Sequence, residues 1–290
     1  MTKGTALALA AVTLGSLLMA AVGVELSRGA WLSADALDHL AVPRDVRVTV
    51  AVPGDGDVVV RRDHWGFRGP HADPARVVVL TVGGTSTSQP GLPDAATWQA
   101  AMARALAEQG RDTAIANAGL DGQSTVGHIR VLESWLPAVP GLRPRFIIAS
   151  VGLDEDLAGQ TAVDRLEDAT DGDRLRRRSA FARLLAAERR DFPTASTATG
   201  PSDPAAYKER LARIAELSHG LGAVPVFVTQ PGAPYNAATL AVCQEKGLLC
   251  LDLAREVRFE EADFVAGVHA SPQGAEKVGR WLAGKLAGLV

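Results

Sequence analysis

From Arg76 onward, short apolar runs alternate with segments of helical period, and few folds are open to a chain patterned this way. The runs fall at 77–82, 113–117, 145–151, 224–229 and 248–253. The helical segments fall at 95–109, 125–136, 204–217, 237–246 and 272–286. In the second of these helices, Val126, Ile129, Leu132 and Leu136 share one face. Strands that are apolar on both sides need cover on both sides, so the expected fold is α/β, with a mainly parallel five-stranded sheet between helical layers. A polar stretch at 160–202 interrupts the alternation. It holds an Arg-rich helix candidate at 173–190 and the turn-rich PTASTATGPSDP, and it reads as an insertion or lid within one domain at 76–290. Residues 25–75 read as a connector, with strand-like VRVTVAV and DVVVRR around a Pro-Gly-Asp-Gly turn.

The amino terminus imposes a second constraint. Residues 4–24 carry no charge and are bounded by Lys3 and Glu25. As a helix they would span roughly 31 Å, close to the hydrocarbon thickness of a bilayer. The length favours an uncleaved transmembrane anchor over 1–24. A cleaved signal peptide is the alternative, because Ala21-Val22-Gly23 offers small residues for cleavage. Lys3 precedes the run, while Glu25, Arg28, Asp35 and Asp38 follow it, so the positive-inside rule puts the rest of the chain outside the cytoplasm. The expected partner is therefore a membrane. In that compartment Cys243 and Cys250 would form one disulfide or remain two packed thiols; the sequence leaves both open.

Several classes are excluded. With 47% apolar and 22% charged residues, the chain is neither disordered nor fibrous. A net charge of −3 gives no footprint for nucleic acid. No Cys/His cluster suggests a metal, and no cofactor motif is present: Gly83-Gly84-Thr85-Ser86-Thr87-Ser88 lacks the Gly-Lys-Ser/Thr ending of a phosphate-binding loop. His39, His64, His71, His128 and His219 are scattered without ligand spacing. The Asp55-Gly56-Asp57 and Asp171-Gly172-Asp173 triplets lack the other ligands of a calcium loop and read as turns.

Ligands of a parallel sheet bind beyond the carboxyl ends of its strands. There the sequence places the hydroxyl-rich turn 83–88, then Asn117-Ala118-Gly119-Leu120-Asp121-Gly122, then Gly152-Leu153-Asp154-Glu155-Asp156, and finally Val268-His269-Ala270-Ser271-Pro272. Hydroxyls, glycine amides, a carboxylate and an imidazole together suit acyl transfer.

These blocks, in this order, resemble the SGNH/GDSL hydrolase family, in particular its membrane-anchored bacterial members. The resemblance runs from Trp65-Gly66-Phe67-Arg68-Gly69 through VGGTSTS, NAGLDGQST and VGLDED to VHASPQGAEKVG. It implies a three-layer α/β/α sandwich of flavodoxin-like type acting on carbohydrate or lipid esters; placement outside the cytoplasm favours O-acetyl groups of a surface glycan. It also assigns roles. Thr85 falls on the nucleophile, His269 on the general base, and Gly84 and Gly122 on the turn and amide of the oxyanion hole. Three positions depart from the pattern. Thr85 replaces serine, Asp154 stands at the asparagine donor, and Ala266 stands where an aspartate would orient the histidine. Asp263, six residues before His269, is the remaining carboxylate for that task. Ser86 and Ser88 are discounted as nucleophiles, since a one-residue slip redirects the side chain. The departures keep two expectations side by side: an ester hydrolase or O-acyl transferase, and a tethered binding or assembly module that has lost the chemistry.

Overall fold

The computed structural model describes residues 3–29, 36–53, 56–69, 73–159, 161–166, 169–185, 188–191, 203–265 and 269–290. Helix α1 (Lys3–Arg28) precedes an antiparallel hairpin of β1 (Val46–Val52) and β2 (Gly56–Arg62), in which Val46 faces Arg62. The glycine and aspartate at the tip of the expected turn, Gly54 and Asp55, lie outside the described residues. The alternating part follows: β3 (Val79–Gly83), α2 (Thr85–Ser88), α3 (Trp98–Ala107), β4 (Ile115–Asn117), α4 (Thr125–Arg130) and β5 (Phe146–Ser150). Short helices α5 (Ala162–Arg165), α6 (Asp171–Arg178) and α7 (Ala180–Leu185) then lead to strand β6 (Glu188–Asp191). The alternation resumes with α8 (Pro204–Gly220), β7 (Val224–Val228), α9 (Asn236–Lys246), β8 (Leu249–Leu251) and α10 (Leu253–Glu256). It ends in a small hairpin, β9 (Phe264–Val265) with β10 (His269–Ala270), and in α11 (Pro272–Leu286).

The five apolar runs become one parallel sheet of order β4-β3-β5-β7-β8. All residues of β3 and β5 are buried, as strands covered on both faces must be. Val79, Phe146, Ile148 and Val226 pack against Trp98, Met102 and Leu106 of α3 and Leu282 and Leu286 of α11. Leu80, Val82, Ile147 and Phe227 face the other way, toward Leu132, Trp135, Leu211 and Ile214. The molecule is therefore a three-layer α/β/α sandwich. Side-chain caps set the helix starts: Thr97 for α3, Ser124 for α4, Asp203 ahead of Pro204 for α8, and Ser271 ahead of Pro272 for α11. Helix α4 does not stop at Arg130 but widens into a π turn (Val131–Trp135), which carries its apolar face on to Leu136.

Two features differ from the sequence reading. The Arg-rich helix expected over 173–190 ends by Leu185, and residues 188–191 instead pair in parallel with the open edge of β1, Val48 opposite Glu188. An unpaired strand edge offers a row of backbone donors and acceptors that outweighs local helix propensity. The connector is also fastened to the main sheet: the Arg68 amide donates to Asn117 O at 2.8 Å and the Gly69 amide to Arg61 O at 3.0 Å, bridging β2 and β4. Residues 160, 167–168, 186–187 and 192–202 of the expected lid lie outside the described residues.

In α1, residues Leu7–Ser27 have a mean hydropathy of 2.2 and none of the most apolar stretch is buried, so the helix is long and apolar enough to cross a membrane or to serve as a signal sequence. At its far end Glu25 accepts hydrogen bonds from Ser179 Oγ at 2.6 Å and from the amides of Ala180 and Phe181 at 2.9 and 3.0 Å, capping α7. A disulfide joins Cys243 to Cys250, with Cα atoms 6.0 Å apart, and clips α9 to β8.

Helices α3 and α11 touch through Gly279: a Cβ there would lie 2.5 Å from both Ala101 Cβ and Trp98 O. Gly279→Val is expected to lower unfolding free energy by about 2–3 kcal/mol in urea titrations. Gly284→Ala, on the same helix with nothing within 4 Å, should leave stability unchanged or raise it by up to about 1 kcal/mol.

Candidate active site

Strand β3 delivers the chain into Gly83-Gly84, and both glycines are required by close approach. A Cβ on Gly83 would sit 2.0 Å from Thr87 Oγ1, and one on Gly84 would sit 2.0 Å from Asp154 Oδ2 and 2.6 Å from Gln123 O. Thr85 then opens α2. Its hydroxyl oxygen accepts a hydrogen bond from the Gly122 amide at 2.9 Å, and its own amide donates to Asp154 Oδ2 at 3.0 Å. Three of the loops singled out from the sequence thus meet at one threonine.

The fourth joins them at a shared cavity. His269 lies on β10 opposite Val265 and is 9% exposed. It shares with Thr85 the lining of one cavity of about 290 Å³. Val52 and Val58 of the β1–β2 hairpin form another wall of that cavity. The hairpin read as a mere connector therefore shapes the cleft. Ser271 holds the histidine hairpin against the preceding turn: its amide donates to Asp263 O at 2.8 Å and its hydroxyl to Ala262 O at 2.8 Å.

Asp263 does not orient His269 by a hydrogen bond. Its side chain is fully buried, and Oδ2 accepts from Lys277 Nζ at 2.7 Å and from the Glu260 amide at 2.8 Å. Burial would raise its pKa, but the Lys277 and Glu260 bonds outweigh this and leave it below the ordinary carboxylate range. Chain proximity to the histidine is real, yet Oδ2 is committed to a capping box and a lysine. Ala266 lies outside the described residues.

Asp154 is displaced the other way. Burial of its charged form pushes the pKa up to about 6; the Thr85 hydrogen bonds oppose this, and the nearby charges of Asp121 and Asp164 add to it. Its neighbour Glu155 is not a solvated loop residue. It is 1% exposed, accepts from Thr125 Oγ1 at 2.7 Å and faces Arg210 at 3.4 Å, and burial raises its pKa.

Arg68, in the Gly-Phe-Arg-Gly segment, supplies a support that spacing alone did not reveal. Its buried guanidinium donates to the carbonyls of Ser88, Gln89 and Leu92, with Nε 3.5 Å from Asp94 Oδ1. Burial lowers its pKa to about 10 against the raising effect of Asp94. Gln89 ends α2 in the left-handed region with φ 50°, so the carbonyls beyond the helix splay outward and one planar fork satisfies three of them. Gln89 and Leu92 also line the cleft, so Arg68 fixes its floor. Of the scattered histidines, His39, His64 and His219 are exposed, and His128 is buried beneath the turn, where burial drives its pKa down to about 3.

No family model and no curated protein sequence matches the chain. Solved structures do. The chain is similar in fold to lipolytic and ester-cleaving proteins. TesA aligns at 17% identity with a TM-score of 0.49, over 72% of this chain and 99% of that one. Est24, a carbohydrate acetylesterase from Sinorhizobium meliloti, aligns at 16% identity and a TM-score of 0.47, over 74% and 100%. A member of the lipolytic G-D-S-L family from Veillonella parvula aligns at 14% and 0.47, over 74% and 100%.

The raised pKa of the Asp154 carboxyl makes stability depend on pH. A folded-state pKa of about 6, above the usual 3.8, favours the protonated carboxyl in the folded protein. Its stabilising effect is complete below pH ~4 and lost as pH rises through ~6. Asp154→Asn should therefore raise stability at pH 7.5 by up to about 3 kcal/mol and change it little at pH 4. Denaturant titration at both values checks this. Arg68→Lys keeps the charge but loses the fork, and should cost about 2–4 kcal/mol in the same assay.

Proposed function

We propose that this protein is an ester hydrolase or O-acyl transferase of SGNH type, held at a membrane with its cleft outside the cytoplasm. The observation that carries the reading is that Thr85 and His269 line one cavity while the Gly122 amide points at the threonine oxygen. In this mechanism Thr85 Oγ1 attacks the ester carbonyl carbon and its proton passes to His269. The carbonyl oxygen becomes an oxyanion beside the Gly122 and Thr85 amides. The C–O bond to the alcohol then breaks, and the alcohol leaves with the proton from His269. Water, activated in turn by His269, cleaves the acyl-threonine in hydrolysis; an acceptor hydroxyl does so in transfer. Esters of surface carbohydrate or lipid are the substrate class, the O-acetyl group being its smallest member.

Asp154 sets the rate. Its carboxylate bonds to the Thr85 amide, one of the donors the oxyanion needs, and a negative charge there opposes the one that develops. That same contact favours the second reading, a cleft that binds without turnover. Support for the tether comes from the unburied apolar helix α1, and support for export from the Cys243–Cys250 disulfide, which persists in oxidising compartments.

Hydrolysis of p-nitrophenyl esters by the full chain in detergent tests the proposal. Thr85→Ala and His269→Ala should each lower kcat by about 10³-fold or more. Asp154→Asn should raise kcat/KM by about 10²-fold. Indifference to the first two substitutions would remove the catalytic assignment. No turnover even in Thr85→Ser/Asp154→Asn/Ala266→Asp would favour the binding module.

A further inference from the structure

The Arg-rich stretch plays no part in the cleft; it sits against the far end of α1. Helix α6 carries four arginines against two aspartates in DGDRLRRR, and α7 follows it at Ala180. Where the two helices meet, Ser179 Oγ and the amides of Ala180 and Phe181 donate to the Glu25 carboxylate at 2.6, 2.9 and 3.0 Å. Glu25 stands near the end of the apolar run Leu7–Ser27. At ~1.5 Å per residue that run covers roughly 31 Å, the thickness of a bilayer's hydrocarbon. A carboxylate is costly within hydrocarbon, so a helix spanning that thickness brings Glu25 to headgroup depth. The residues bonded to it come to the same depth. The side chains beside them suit that layer. Arg174 has 45% of its side chain exposed, and its partner at 3.5 Å, Asp171, is fully exposed, a pair that water screens. Leu175 next to it is 53% exposed. Arg177 donates to the carbonyls of Leu40 and Asp38 at 2.8 and 2.9 Å, and Arg178 to the Asp38 carboxylate at 2.6 Å. These bonds brace α6 against residues 38–40 and leave a cation and an apolar side chain outermost, the pairing found at membrane–water boundaries.

Resting on the tethered reading, we propose that the corner between α6 and α7 is a membrane-contact surface, with Arg174 and Leu175 lying against anionic phospholipids of the bilayer that α1 enters. Arg174 donates to phosphate oxygens, and Leu175 enters the layer just beneath them. Strand β6 follows α7 and pairs with β1, whose Val52 walls the cleft. The same contact therefore holds the cleft at a set height over the bilayer.

The test puts one nitroxide spin label at a time on the full chain in bilayer nanodiscs, through Leu17→Cys or Leu175→Cys. Cys243 and Cys250 are joined, so the added thiol is labelled alone. Collision with an aqueous nickel chelate reads exposure to water, and collision with oxygen reads depth in hydrocarbon. The Leu17 label should meet oxygen and exclude nickel in every disc. The Leu175 label should lose about threefold to fivefold of its nickel collisions when phosphatidylglycerol makes up about a third of a phosphatidylcholine disc. High salt, or Arg174→Glu, should restore those collisions without moving the Leu17 label. A Leu175 label open to water in both kinds of disc, with Leu17 in hydrocarbon, overturns the contact and leaves the tether. Shielding of Leu175 that ignores lipid charge, salt and Arg174→Glu overturns the phosphate recognition. A Leu17 label open to water, or cleaved from the mature chain, overturns the tether and the contact with it.

Discussion

The cleft is organised by one hydrogen bond, from the Thr85 amide to the Asp154 carboxylate. Gly84 has no side chain because that carboxylate occupies the space a Cβ would take. The contact draws the loop after β5 onto the loop after β3, and the Gly122 amide then reaches the threonine hydroxyl from the third side. Arg68 holds the far side of the same turn by its last carbonyls. A four-residue helix has too few internal hydrogen bonds to hold its own shape. Its geometry is imposed from outside by Asp154, Asn117, Gln99 and Arg68, the middle two donating to Thr87 O at 2.8 and 3.0 Å. The turn that carries Thr85 is thus preorganised by long-range contacts.

The sandwich was legible because its signals are local. Apolar runs covered on both faces and Ser-Pro or Asp-Pro helix starts can be read within a dozen residues, and α11 begins and ends where its pattern does. What escaped reading depends on partners far away in the chain. Glu188 to Asp191 look helical beside their arginines but find the open edge of β1 some 140 residues earlier. Val52 and Val58 look like ordinary hairpin residues until the fold carries them over the cleft. The spacing of Cys243 and Cys250 permits a bond without requiring it; α9 and β8 bring the two together.

Asp263 shows the limit of proximity reasoning. Six residues from His269 and fully buried, it fits the expectation of an orienting acid, yet Lys277 from α11 and the Glu260 amide take its hydrogen bonds. Ser271 fixes the hairpin that carries His269 through its bonds to Asp263 O and Ala262 O. The hairpin and the Thr85 turn lie at the carboxyl end of the sheet, where a parallel sheet leaves room for a ligand.

If the Thr85 hydroxyl is a nucleophile activated by His269, as proposed, covalent labelling with a fluorophosphonate, read by intact mass and peptide mapping, should show it directly. A single adduct should form on Thr85 in the unmodified protein and fail to form in His269→Ala. An adduct on another residue, or none under conditions that label an active serine esterase, would contradict it.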